Sequence, residues 1–80
     1  MNKQDVLKKI EPVFRKVMEE STREFTEKLT SADVKLWDSM KNIELLLTLE
    51  KVFDTRFDAD EVFGLPDIGA LAELIVRKTG

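Results

Sequence analysis

Apolar side chains recur at steps of three and four over most of this chain. Val6, Leu7, Ile10, Val13, Phe14, Val17 and Met18 make the first such stripe, the pattern of an amphipathic helix with one buried face. It predicts a first helix from about Lys3 to about Glu20. Pro12 falls inside it, where a missing N–H and a ring clash should kink or weaken the helix. Periodicity then lapses over residues 21–37. Phe25, Leu29, Val34, Leu36 and Trp37 recur singly there and read as anchors holding a long connection against the helices. Trp37 is thus expected to pack rather than to form a ligand platform.

A second helix opens at Asp38 or Ser39 and runs to near Phe53. On a wheel of about 100° per residue, Leu45, Leu46, Leu49, Val52 and Phe53 share an arc of about 120°. Met40, Ile43 and Leu47 form a second cluster, bordered by Glu44, Glu50 and Lys51. Either this helix is wrapped on more than one side, or the second cluster is an exposed docking patch. Lys41 and Lys51 lie outside the core arc.

Asp58, with Glu61 at the third helical position, predicts a short third helix to about Phe63. Gly64-Leu65-Pro66 punctuates the chain. Asp67 then caps a last helix striped by Ile68, Leu71, Ala72, Leu74 and Ile75. Arg77 and Lys78 occupy its final turn, favourable for the macrodipole, and Gly80 closes the chain. No segment alternates with period two. The expected fold is all-α, three main helices plus one short helix, with residues 1–80 as a single domain. Its core should include Phe14, Leu46, Leu49, Phe53 and Ile75.

Composition narrows the chemistry. Eighty residues, 42% hydrophobic and 36% charged, suit one small folded domain with little room for a deep active site. The absence of cysteine and histidine removes disulfides, thiolate zinc sites and the usual general base. A Ser-His-Asp triad is impossible. No stretch approaches the roughly 20 apolar residues of a membrane span. The opening residues lack the apolar core of a signal peptide, so a cytoplasmic location is expected.

A net charge of −3 disfavours nucleic acid as a partner. The acidity is concentrated: between residues 38 and 67 only Lys41, Lys51 and Arg56 offset eight acids, Asp38, Glu44, Glu50, Asp54, Asp58, Asp60, Glu61 and Asp67. Such a field draws basic surfaces, or it belongs to ordinary solvated helix faces. The Asp54–Asp60 cluster is no EF-hand. Arg56 and Ala59 occupy positions that need a ligand and a glycine, and Leu65 stands where the bidentate glutamate belongs.

The usable chemistry sits at Trp37-Asp38-Ser39-Met40. Asp and Ser before an apolar helix are ordinary caps. The wider run of Asp38-Ser39-Met40, Ile43-Glu44-Leu45, Leu49-Glu50 and Phe53 resembles the acyl carrier protein family, with its Asp-Ser-Leu signature, apolar-Glu-Leu step and downstream Glu-x-x-Phe. The likeness extends over most of the chain and is strongest from Trp37 to Phe57.

This resemblance implies a small acyl-carrier-like bundle that catalyses nothing. It implies 4′-phosphopantetheine on Ser39, with Asp38 beside it, transferred from coenzyme A by a phosphopantetheinyl transferase. Acyl groups would ride the arm as thioesters to acyl-loading and acyl-processing enzymes. Met40, Lys41, Ile43, Glu44, Leu47, Glu50 and Lys51 match the partner-facing positions of the family's second helix, which favours the docking patch.

Three residues depart from the fatty-acid carriers. Lys41 and Lys51 stand where acids are common, and Leu36 stands where glycine is usual. The chain looks more like freestanding carriers of specialised pathways, such as polyketide-like or cell-surface polysaccharide clusters, than one of housekeeping fatty-acid synthesis. A fatty-acid-like or a specialised pathway is expected, with the chain a monomer. An aminoacyl or peptidyl carrier shares the modified serine and stays open. So does an unmodified helical adaptor that uses the Met40/Ile43/Leu47 patch.

Overall fold

The computed structural model describes residues 2–62 and 64–79. It contains four helices: α1 (Lys3–Met18), α2 (Ser39–Phe53), α3 (Ala59–Val62) and α4 (Ile68–Thr79). The expected end of the third helix at Phe63 and the closing Gly80 lie outside the described residues.

Helix α1 is the spine, packing on both α2 and α4. Asn2 caps it, its side-chain oxygen accepting from the Asp5 N–H at 2.8 Å. The helix runs on through Pro12. That residue lies on the exposed side, where water can serve the carbonyl left without its N–H partner. Glu19 ends the helix in the left-handed conformation (φ 55°), its N–H returning to the Arg15 carbonyl, so α1 stops slightly short of the expected Glu20.

Val6, Ile10 and Phe14 of α1 meet Leu45 and Leu49 of α2 and Ile68, Ala72 and Ile75 of α4 in one buried cluster. Phe53 closes it, and Leu46 packs half-buried on its margin. Val52 was expected inside and is 41% exposed. Helix α2 presents Leu45, Leu49 and Phe53 to the core, a seam of i, i+4, i+8 narrower than the predicted arc. Val52 falls beyond its edge.

The connection from Glu19 to Asp38 is held by the expected anchors, with one correction. Leu29 and Val34 are buried. Phe25 and Trp37 both pack on the Phe14 ring, at centroid distances of 5.5 and 5.4 Å. Leu36 is 38% exposed and anchors nothing. A tight turn explains this: the Trp37 N–H bonds the Val34 carbonyl at 3.1 Å, turning Val34 and Trp37 inward and Leu36 outward.

The same connection serves the start of α4. The Ile68 N–H donates to the Leu29 carbonyl (3.1 Å), and the Gly69 N–H donates to the Glu27 carbonyl (2.8 Å). Two helix-end donors that would lack partners are thereby satisfied by loop backbone. The approach favours glycine, since a Cβ on Gly69 would lie 3.1 Å from Glu27 Cβ and 3.2 Å from its carbonyl oxygen, close enough that Glu27 would have to give way. The Lys3 ammonium pairs with Glu27 and Glu73, tying together the start of α1, the connection and α4. The Glu27 hydrogen bond leads in raising the Lys3 pKa above its ordinary value.

Candidate functional site

Asp38 builds the entrance to α2. Its backbone is extended (φ −104°, ψ −171°), and its carboxylate accepts from the Lys41 N–H at 2.9 Å. Its carbonyl accepts from the Asn42 N–H, also at 2.9 Å. Asp38 is therefore the N-cap and Ser39 the first helical residue. Ser39 is exposed, and among the described residues its hydroxyl has no hydrogen-bond partner. The backbone N–H groups of Ser39 and Met40 precede the first helical bond and form part of the positive end of the helix dipole.

Trp37 fixes the approach from the other side. Its ring meets Phe14 edge-on at 76°, an arrangement worth about 0.5–1.5 kcal/mol beyond area burial. Its indole N–H donates to Asn42 Oδ1 at 2.9 Å. The residues flanking Ser39 are thus tied both to the core and to the first turn of α2.

An open cleft of about 590 Å³ begins at Ser39. Ser31, Trp37, Asp38 and Asn42 contribute polar groups to its lining. Ile43 and Leu46 line one wall, and Val62, Leu65 and Pro66 line the wall opposite. That far wall depends on two features. Gly64 adopts φ +80°, a conformation that L side chains resist. The Glu61 carboxylate accepts from the Asp58 N–H (2.9 Å) and from Lys78 Nζ (2.7 and 3.0 Å), so α3 is capped and bound to α4. The Asp58 N–H first, and Lys78 second, hold the Glu61 pKa below its usual value.

The site residues expected from sequence fall into two groups. Met40 (76% exposed), Ile43 (54%) and Leu47 (55%) project to solvent, with Glu44 and Lys51 exposed and Lys41 half-buried. Lys41 Nζ lies 3.8 Å from Glu44. Glu50 has a second task that the sequence does not reveal. It is half-buried, and its Oε2 accepts from the Phe57 N–H at 2.7 Å. Asn42 and the far wall of the cleft also went unmarked, because their roles come from contacts between separate segments.

The arrangement fits a phosphopantetheine group. A free primary hydroxyl stands at a helix N-terminus, where N–H groups and the dipole favour a phosphate. The cleft beside it combines polar groups (Ser31, Asp38, Asn42) with apolar lining (Ile43, Leu46, Val62, Leu65, Pro66). Such a group supplies a flexible arm ending in a thiol that holds an acyl group as a thioester.

Comparison with known proteins agrees with this geometry. The chain matches the family model "Phosphopantetheine attachment site" over residues 37–75. It is similar to the solution NMR structure of a holo acyl carrier protein from Geobacter metallireducens, with TM-score 0.84 and 29% identity, over 91% of this chain and 84% of that one. No curated protein sequence matches it. The attachment-site match and the acyl-carrier-protein likeness together support the acyl carrier protein family: a carrier rather than an enzyme, with a 4′-phosphopantetheine prosthetic group, of a type that works with a phosphopantetheinyl transferase and acyl-processing enzymes.

Proposed function

We propose that Ser39 carries the phosphopantetheine arm and that the Met40/Ile43/Leu47 face of α2, bordered by Glu44, is read by partner enzymes. The observation that carries this is the exposed, unengaged Ser39 hydroxyl in the first turn of α2, at the mouth of the cleft. The Ser39 oxygen bonds to the pantetheine-side phosphorus of coenzyme A as the pyrophosphate P–O bond breaks and the adenosine 3′,5′-bisphosphate half leaves. The serine proton goes to a base that the transferase supplies together with metal, so the carrier needs no histidine of its own. The pathway we assign is a specialised, polyketide-like one, with the chain working in the cytoplasm as a monomeric single domain. Support for the pathway comes from Lys41, Lys51 and Leu36, the three departures from fatty-acid carriers.

Incubation with a promiscuous transferase and coenzyme A, followed by intact mass and peptide mapping, tests the attachment. One phosphopantetheinyl group should map to Ser39, and Ser39→Ala should abolish it. A parent chain left unmodified by several transferases points instead to an unmodified adaptor. The pathway assignment is tested by the rate of acyl transfer from a fatty-acid synthase enzyme to the loaded protein. The Lys41→Glu/Lys51→Glu double variant should be faster at low salt, since two like-charge contacts with a basic partner are removed. An unchanged rate removes the electrostatic support for the specialised pathway.

A further inference from the structure

Asn42 lies three positions beyond Ser39, one turn along the same helix face, and borders the cleft mouth. An indole N–H can only donate. The 2.9 Å contact with Trp37 Nε1 therefore turns Asn42 Oδ1 toward the indole and leaves the Nδ2 amino group outside that contact. Among the described residues that amino group has no partner, although an Asn amide can donate two hydrogen bonds. The Trp37 ring is itself held edge-on by Phe14, so the amide is set by a side chain seated on the core.

The other groups at the mouth cannot do the same work. The Asp38 carboxylate only accepts and is already engaged with the Lys41 N–H. The Trp37 N–H is engaged with Asn42. Among the described residues lining the cleft, the unengaged side-chain donors beside Ser39 are the Asn42 amino group and the freely rotating Ser31 hydroxyl. The arm leaving Ser39 begins with acceptors: phosphate oxygens, then hydroxyl and amide carbonyl oxygens.

We infer that Asn42 is a positioning residue for the prosthetic arm. Its Nδ2 amino group, oriented by the Trp37 indole, hydrogen-bonds the acceptor-rich proximal segment of the arm and steers it along the cleft. This rests on attachment at Ser39, and the experiment separates the two claims. Nitrogen-15-labelled protein is compared by NMR before and after loading, with intact mass and peptide mapping establishing that the arm is on Ser39. The Asn42 Nδ2 proton signals should shift on loading and give cross-peaks to the arm. If the backbone amides of Ser39 and Met40 shift while the Nδ2 signals do not, the positioning role is overturned and the attachment stands. If mapping finds no arm on Ser39, both claims fall.

Asn42→Asp gives the second arm of the test. It keeps an oxygen for the indole but removes both donors. The Trp37 Nε1–H signal should hold its place, while cross-peaks between the arm and Trp37 are lost at low and at high salt. High salt screens the added charge, so a loss confined to low salt would mean repulsion and overturn the assignment. Retained cross-peaks under both conditions would overturn it equally.

Discussion

The carboxylate of Glu50, in the last turn of α2, accepts a 2.7 Å hydrogen bond from the backbone N–H of Phe57, seven residues on. Asp54 has by then ended the helix in the left-handed conformation (φ 50°). The Glu50 bond folds the following segment back toward the helix and sets where α3 begins, and with it the far wall of the cleft. Glu50→Ala should lower stability by about 1.5–3 kcal/mol, the range for a hydrogen bond to a charged group. Urea denaturation measures this. No loss would mean that the bond contributes nothing to holding the segment.

Glu44 gives a cleaner test of the partner surface, because it is exposed and its ion-pair partner Lys41 stands 3.8 Å away. Glu44→Lys should leave folding within about 0.5 kcal/mol. It should slow association with cognate acyl-processing enzymes, with the deficit shrinking as salt rises. Stopped-flow association rates at two ionic strengths decide the matter. A deficit that ignores salt would place the effect in shape rather than charge.

Ser39 and Asp38 should separate modification from stability. The Asp38 side chain makes the cap and the Ser39 hydroxyl does not. Asp38→Ala should therefore cost about 0.5–2 kcal/mol. Ser39→Ala should change stability by less than about 0.5 kcal/mol. Thermal melts of the two unloaded variants give the comparison, and a reversed order would contradict the capping geometry.

Gly69→Ala should destabilise by about 1–3 kcal/mol, as overpacking does. The added methyl meets Glu27 Cβ at 3.1 Å and the Glu27 carbonyl at 3.2 Å. That carbonyl cannot retreat without losing its 2.8 Å bond from the Gly69 N–H. Hydrogen exchange at the Gly69 and Ile68 amides should quicken in the variant. Unchanged exchange and stability would mean that the connection yields freely at this point.

Glu61 makes stability depend on acid pH. Its folded pKa lies below the ordinary value of 4.5 because the Asp58 N–H and Lys78 stabilise the carboxylate. The contribution is therefore fully present above about pH 4.5 and is lost as pH falls through the lower folded pKa. Glu61→Gln should flatten that part of the stability–pH curve by lowering stability at neutral pH, where the carboxylate's contribution is present, with little change near pH 3. Denaturation midpoints between pH 7 and pH 3 show whether the two curves converge toward acid.

Much of this protein was legible in the sequence because much of it is local. Helix faces follow from 3.6-residue spacing, so the α1 stripe, the Leu45/Leu49/Phe53 seam and the α4 stripe all fall where the pattern puts them. Caps act across three residues. Asp38, the Asp58/Glu61 pair and Asp67, which accepts from the Ala70 N–H at 2.9 Å, could be read directly. Ser39 belongs with them, since its exposure at a helix entrance needs only the cap and the first turn.

Tertiary structure decided what lies between elements. How wide a face of α2 the core would cover depends on its neighbours, and this left Val52 outside. The turn at Val34–Trp37 chose which apolar residues of the connection point inward, and Leu36 was not among them. Glu50 reads as one more surface acid until the segment after α2 folds back to it. Asn42 reads as a neutral helix residue until Trp37, seated on Phe14, turns its amide. The loop-to-α4 bonds at Ile68 and Gly69 join residues about forty positions apart. Periodicity reports each helix's own faces, and it carries no record of which distant group will meet them.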